Sequence, residues 1–304
     1  MTTHTTHVRV RIGTSGWIYP PWRRVFYPEG LVQRRELTYL AERLDSVEIN
    51  GSFYSLQRAS SYRSWAERVP DDFVFAVKGG RFVTHMKKLR GVEEGLANFF
   101  ASGPLALGPK LGPILWQLPP QLGYDAQRIE DFLAMLPHTT AEAAAMATGH
   151  TGKVPEPWTA TDADRPLRHA MEVRHATFRD PGFVAQLRRH GVANVVSDTA
   201  GTFPRLDDVT ADLVYVRLHG DTELYASGYG PAALDRWAER IRAWASDAAS
   251  PSEDTVAPDD PPPQAPGGRD VVVYFDNDVK VHAPFDAIAL RERIRSGAPA
   301  PRRS

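Results

Sequence analysis

The chain has 304 residues, a formal net charge of −1 and no cysteine. That length holds one large barrel or two ordinary domains. The near-zero charge gives no global field toward nucleic acid or an anionic membrane, while leaving room for a locally basic cleft. Absent cysteine excludes disulfides, thiolate nucleophiles, iron–sulfur clusters and cysteine-ligated zinc. The opening MTTHTTHVRV lacks the apolar core of a signal peptide, and no apolar run approaches the ~18–20 residues that span a bilayer. The expectation is a cytoplasmic protein with no membrane partner.

Eight short apolar runs read as strands: VRVRIGTSGW, DSVEING, FVFAVKGG, LGPILWQLPP, HAMEVRH, ANVVSDT, LVYVRLHG and VVVYFDND. Between them lie stretches with helical spacing. RRELTYLAERL places Leu37, Leu40, Ala41 and Leu44 on one face, and residues 60–69 do the same with Tyr62, Trp65 and Ala66. After strand three comes GVEEGLANFFASGPLAL, where Pro104 ends the helix. Asp125 reads as the N-cap of DAQRIEDFLAML, Pro181 opens PGFVAQLRRHG, and helices over 234–244 and 286–294 complete the set. The link between strands six and seven, TAGTFPRLDDVTAD, is too short for a full helix.

Strands alternating with helices predict a parallel sheet, and eight of them predict a closed (β/α) barrel of about 250 residues. The fold expectation is therefore an α/β protein: one TIM-type eight-stranded parallel barrel over 8–296, as a single domain. Two segments exceed the minimal barrel. Residues 138–166 form an excursion before strand five, and the proline-rich 246–269 reads as a disordered insertion. Tails at 1–7 and 297–304 are also expected to be disordered.

Several of these runs carry a resemblance. IGTSGW, VEINGSFY, the lysine of FAVKG, LGPILWQLPP, MEVRH, YVRLHG and VYFDND resemble, in order, the YecE-like family, a domain of unknown function numbered seventy-two. The resemblance implies a TIM-type barrel and supplies no reaction. The chain departs from the family pattern at Asp276, where an asparagine is expected, and in its long proline-rich insertion.

Active sites of such barrels form at the C-terminal ends of the strands, and here most strands end in a charged or amide residue. Alternation sets Glu48 and Asn50 opposite Val47 and Ile49, Glu172 and Arg174 opposite Met171 and Val173, and Arg217 and His219 opposite Val216 and Leu218. The charges balance: Glu48, Glu172 and Asp198 against Lys78, Arg174 and Arg217. They form either a structural ion-pair layer or a reactive one. Lys78 reads as an acid/base group or imine-forming nucleophile, or else as a salt-bridge partner of Glu48. His219 reads as a general acid/base or a structural histidine, and Glu172 with Asp198 as a carboxylate pair. Arg174 and Arg217 suit an anion clamp, with Gln117 and Asn277 orienting substrate oxygens.

Aromatics in the first loops (Trp17, Tyr19, Trp22, Phe26, Tyr27, Phe53, Tyr54) and after strand seven (Tyr225, Tyr229) either stack a ligand or pack the loops. Arg81, His85, Lys87, Lys88 and Arg90 make the loop after strand three basic. The resulting expectation is an enzyme, a hydrolase, lyase or isomerase, using Lys78, Glu172, Asp198 and His219 for acid/base work. Glu48, Asn50, Tyr54, Gln117, Arg174, Arg217 and Asn277 would bind a small anionic, phosphorylated or sugar-like substrate. No metal or cofactor is called for, since three cations would compete for the carboxylates. The alternatives are a metal-dependent phosphodiesterase acting on nucleic acid and a non-catalytic ligand-binding protein.

Overall fold

The computed structural model describes residues 9–297, so the expectations for 1–7 and 298–304 lie outside the described residues. All eight runs form strands: β1 (Val10–Ser15), β2 (Ser46–Ile49), β3 (Val74–Lys78), β4 (Leu111–Gln117), β5 (His169–Glu172), β6 (Ala193–Asp198), β7 (Leu213–Leu218) and β8 (Asp270–Phe275). They pair in sequence order, all parallel, and β8 closes onto β1 through Val10↔Val271 to Thr14↔Phe275. The result is one (β/α) barrel with no free sheet edge.

The helices sit where the apolar periodicity put them, at 36–41, 59–66, 93–101, 126–135, 181–189, 231–245 and 283–296. Their ends follow local chemistry. Asp125 accepts the N–H of Arg128, and Asp180 accepts that of Gly182 ahead of Pro181. The link between β6 and β7 contains no helix. The 138–166 excursion opens with a helix at 140–147, started by a capping box between Thr139 and Glu142.

Segment 246–269 carries no helix or strand, yet it follows a defined path. Asp208 accepts the N–H groups of Val256 (2.8 Å) and Ala257 (2.9 Å), and Arg188 reaches Asp260 Oδ2 at 2.5 Å.

Two apolar layers separate inside from outside. Outward residues such as Val47, Ile49, Val77, Val216 and Val273 join the helices in the main core. Inward residues, among them Ala76, Leu115, Ala170, Val195, Tyr215 and Val272, form a second cluster that plugs the barrel.

Candidate functional site

Above that plug, the next inward position of each strand is polar: Ser15, Glu48, Lys78, Gln117, Glu172, Ser197, Arg217 and Asp276. Strand register aligns them into one layer, with Ser15 beside Glu48, Gln117 beside Glu172 and Ser197 beside Arg217. Gly79 lets β3 leave this layer, since a Cβ there would meet the Trp116 ring at 2.2 Å.

Arg217 is the centre of the layer and is wholly buried. Its Nε and Nη2 hold Glu48 at 3.1 and 2.9 Å, Nη1 holds Glu172 at 2.7 Å, and Nη2 also reaches Asp276 at 3.1 Å. Ser15 and His219 take the remaining directions, at 3.3 and 3.4 Å. Burial alone would lower its pKa, but the three carboxylates hold it well above the usual value. Tyr215 donates to Glu48 at 2.6 Å and Gln117 to Glu172 at 2.7 Å. Glu172 stays well below the usual carboxylate range: burial opposes this, and Arg217 and Arg174 outweigh it. A guanidinium with every direction filled has no donor left for a ligand. The expected clamp by Arg217 is therefore corrected.

Over this layer opens a cavity of about 760 Å³, lined by Tyr19, Asn50, Phe53, Tyr54, Lys78, Arg81, His85, Met86, Gln117, Arg174, Tyr225 and Asp276. Lys78 Nζ stands 4.6 Å from the centre of the Phe53 ring and, among the described residues, forms neither a hydrogen bond nor a salt bridge. The alternative of a salt bridge to Glu48 is thus not what forms. Burial, then Arg217, bring its pKa down to about 8. Arg174 gives Nε to Glu172 and Nη2 to the Tyr225 hydroxyl, each at 3.2 Å, and leaves Nη1 without a protein partner among the described residues. The Asn50 Oδ1 is buried and unpartnered. His85, held to about pKa 4 by burial and then by Lys78 and Arg174, is a neutral imidazole at pH 7.

Asp276 bridges layer and cavity. Its Oδ2 touches Arg217 and lies 3.0 Å from His219 Nδ1. His219 Nε2 faces Arg217 Nη1, which can only donate, so the imidazole proton belongs on Nδ1 beside Asp276. Burial would raise Asp276, but Arg217 and His219 hold it low. Asp278, two residues on, is pushed well above the usual range by burial and then by the Asp276 charge, and its Oδ1 is buried without a hydrogen-bond partner among the described residues. Two neighbouring carboxyls with pKa values driven apart are the arrangement that acid/base chemistry uses. Nothing in the sequence reading singled out Asp278. The signal available was its spacing of two from Asp276.

Two predicted site residues fall elsewhere. Asp198 shares the outward parity of Val196, and its carboxylate accepts from the Tyr229 hydroxyl at 3.2 Å. Asn277 shares the parity of Phe275 and donates to Ser227 O and Asp286, at 3.0 and 2.8 Å. Both brace the loops after β7 and β8, and neither joins the carboxylates around Arg217. The aromatics divide as well. Trp22, Phe26 and Tyr27 are core, packed edge-on or tilted against one another and on Tyr39, whereas Tyr19, Phe53, Tyr54 and Tyr225 face the cavity. Of the basic loop, Arg81 and His85 line the cavity and Lys87, Lys88 and Arg90 are exposed.

Eight parallel strands closed in sequence order, with helices between them, define a TIM-type barrel, here with a charged layer at the strands' C-terminal ends. The chain belongs to the family described as "Protein of unknown function DUF72", which matches residues 11–304. It is similar to the UPF0759 protein YecE of Escherichia coli K12, with 30% identity over 115 residues, 38% of this chain and 39% of that protein. It is also similar to the UPF0759 protein YunF of Bacillus subtilis 168, with 26% identity over 121 residues, 36% of this chain and 40% of that one. These matches thus span about two fifths of each relative's length. Among solved structures, a DUF72 family protein of Thermotoga maritima superimposes with a TM-score of 0.70 at 24% identity, covering 95% of this chain and 100% of that one. One from Enterococcus faecalis gives 0.65 at 16%, covering 97% and 100%. No described helix is long and apolar enough to cross a membrane.

Proposed function

We propose that the barrel mouth is an active site for acid/base chemistry on a small anionic substrate, phosphorylated or sugar-like. The observation that carries this reading is the pair of open cations: Lys78 and Arg174 both face the cavity with donors that no described protein group accepts. Both donors open on the cavity, where a bound anion would replace water as acceptor with charge-assisted hydrogen bonds. Arg81 adds a third cation at the rim, and Asn50, Gln117 and Tyr225 offer neutral contacts suited to hydroxyl groups. Asp276, ionised beside the cavity, is the base, and Asp278, protonated behind Tyr19, is the proton store. Glu172 and Glu48 fix Arg217, and through it Asp276. They are positioning groups in this scheme.

The metal-dependent phosphodiesterase is the weaker reading on geometry. Glu48, Glu172 and Asp276 all lean on one guanidinium, which a cation would have to displace. Calorimetric titration with phosphate, sulfate and simple sugar phosphates tests the proposal. Wild-type protein should bind at least one of them, and Arg174→Ala should weaken it by about 1.5–3 kcal/mol, the value of a charged hydrogen bond. A wild type that binds none leaves the layer structural.

A further inference from the structure

Among the described residues two lysines are buried, and they are treated in opposite ways. Lys110 donates to the carbonyls of Ala66 (2.7 Å) and Val69 (2.8 Å) and has Asp71 at 3.6 Å. That is how a buried ammonium is normally satisfied. Lys78 is 8% exposed, as closed off as Lys110 at 9%, yet among the described residues its amine has no protein acceptor, and it rests against the face of Phe53. If Lys78 served only as a fixed positive charge, an acceptor in hydrogen-bond reach would hold it better. The carboxylates of its own layer lie beyond salt-bridge distance, committed to Arg217.

We propose that Lys78 is a covalent nucleophile, forming an imine with the aldehyde or ketone carbon of a substrate whose carboxylate or phosphate lies on Arg174. This rests on the anion-binding reading above and narrows its substrate class to carbonyl-bearing acids. The cavity of about 760 Å³ admits such a molecule with room to turn. The groups acting on Lys78 are Arg217, which favours the neutral amine, and Glu48, Glu172 and Asp276, which oppose it, with Arg174 and His85 also on the cavity wall. Burial decides the balance and keeps a working fraction of free amine near neutrality.

The chemistry balances without any further reactant. The neutral amine adds to the carbonyl carbon, and a proton moves from nitrogen to oxygen to give the carbinolamine. The acid form of the Asp276/Asp278 pair then protonates the hydroxyl, which leaves as water while the nitrogen lone pair closes the C=N bond. A protonated imine and a carboxylate remain. The protonated imine is the electron sink for the next step, removal of a proton or a carbon fragment from the neighbouring carbon.

The full-length protein is incubated with glyoxylate, dihydroxyacetone phosphate or acetone, with and without sodium borohydride, and modified lysines are mapped by peptide mass spectrometry. Borohydride should fix the imine as a secondary amine at Lys78, at least about tenfold above the exposed Lys87, Lys88 or Lys153, because of these only Lys78 lines this cavity, which can hold the carbonyl beside its amine. The two acids should label more than acetone, and Arg174→Ala should erase that preference. Phosphate binding is measured on the same preparation. Binding without a Lys78 adduct from either acid, or with label spread evenly over surface lysines, overturns the imine and leaves the anion reading standing. Neither binding nor adduct overturns both.

Discussion

Arg217 and Glu48 meet across the barrel axis through two hydrogen bonds, 3.1 and 2.9 Å, with neither side chain exposed. The pair sets the geometry of everything above it, because the same guanidinium also orients Glu172 and Asp276.

Arg217→Met leaves three carboxylates facing one another in a dry site, so it should destabilise the fold by about 3–5 kcal/mol, the usual penalty for orphaning buried charge. Arg217→Lys should recover only part of this, since an ammonium cannot reproduce the fork. Guanidinium denaturation at pH 7 reads both. A loss under about 1 kcal/mol would show that the layer is a wet, loosely held set of charges and not a dry, fully paired one.

Lys78 gives a pH-dependent signature. Its pKa falls from 10.5 in the unfolded chain to about 8 in the fold. Below pH 8 the buried charge therefore costs stability, and that cost disappears as pH rises from 8 to 10.5. Lys78→Met should accordingly be more stable than wild type at pH 7, by up to ~3 kcal/mol from the shift alone, with the gain shrinking above pH 8. Phosphate affinity of the wild type should fall as pH passes through about 8. Denaturation and calorimetry at several pH values measure the two effects. An unchanged affinity between pH 7 and 9 would mean that Lys78 takes no part in holding the anion.

His85 reports on occupancy of the same cavity. Burial and the cations Lys78 and Arg174 keep it neutral down to about pH 4. A bound anion opposes those cations, so phosphate should raise the His85 pKa. Imidazole NMR titration with and without phosphate shows this directly, and an unmoved value would place the anion elsewhere.

Asp198→Asn and Asp276→Asn separate the outward carboxylate from the inward one. Asp198 touches Tyr229 and not the cavity, so its variant should leave phosphate affinity within about twofold. Asp276 lines the cavity beside Arg217 and His219. Its variant removes a negative charge and should tighten phosphate binding measurably in the same titration. Equal behaviour of the two would contradict the parity assignment.

Gly79→Ala tests how β3 presents Lys78. The added methyl would sit 2.2 Å from Trp116, itself fully buried. A loss of about 1–3 kcal/mol is expected from overpacking, measured by denaturation.

Much of this site was legible in the chain. The inward direction of Glu48, Glu172 and Arg217 follows from strict alternation beside Val47, Met171 and Val216. The same rule applied to β6 and β8 would have selected Ser197 and Asp276. Asp198 and Asn277 are polar residues at strand ends, so residue type favours them, but their parity is that of the outward Val196 and Phe275. The division of the aromatics was not legible, because Trp22 and Tyr19 sit in one loop and only the loop's three-dimensional course sends one to the core and the other to the mouth.

By itself, then, the sequence determined the strands, their order and the set of charges at the mouth, because period-two and helical patterns are local properties of the chain. Only the tertiary structure decided which cation is spent and which is open. Arg217 and Lys78 come from strands equally rich in Val, and both point inward. Barrel closure brings Glu48, Glu172 and Asp276 onto the first and leaves the second against Phe53. The reach and geometry of partners from three other strands set that outcome, and no local pattern encodes it.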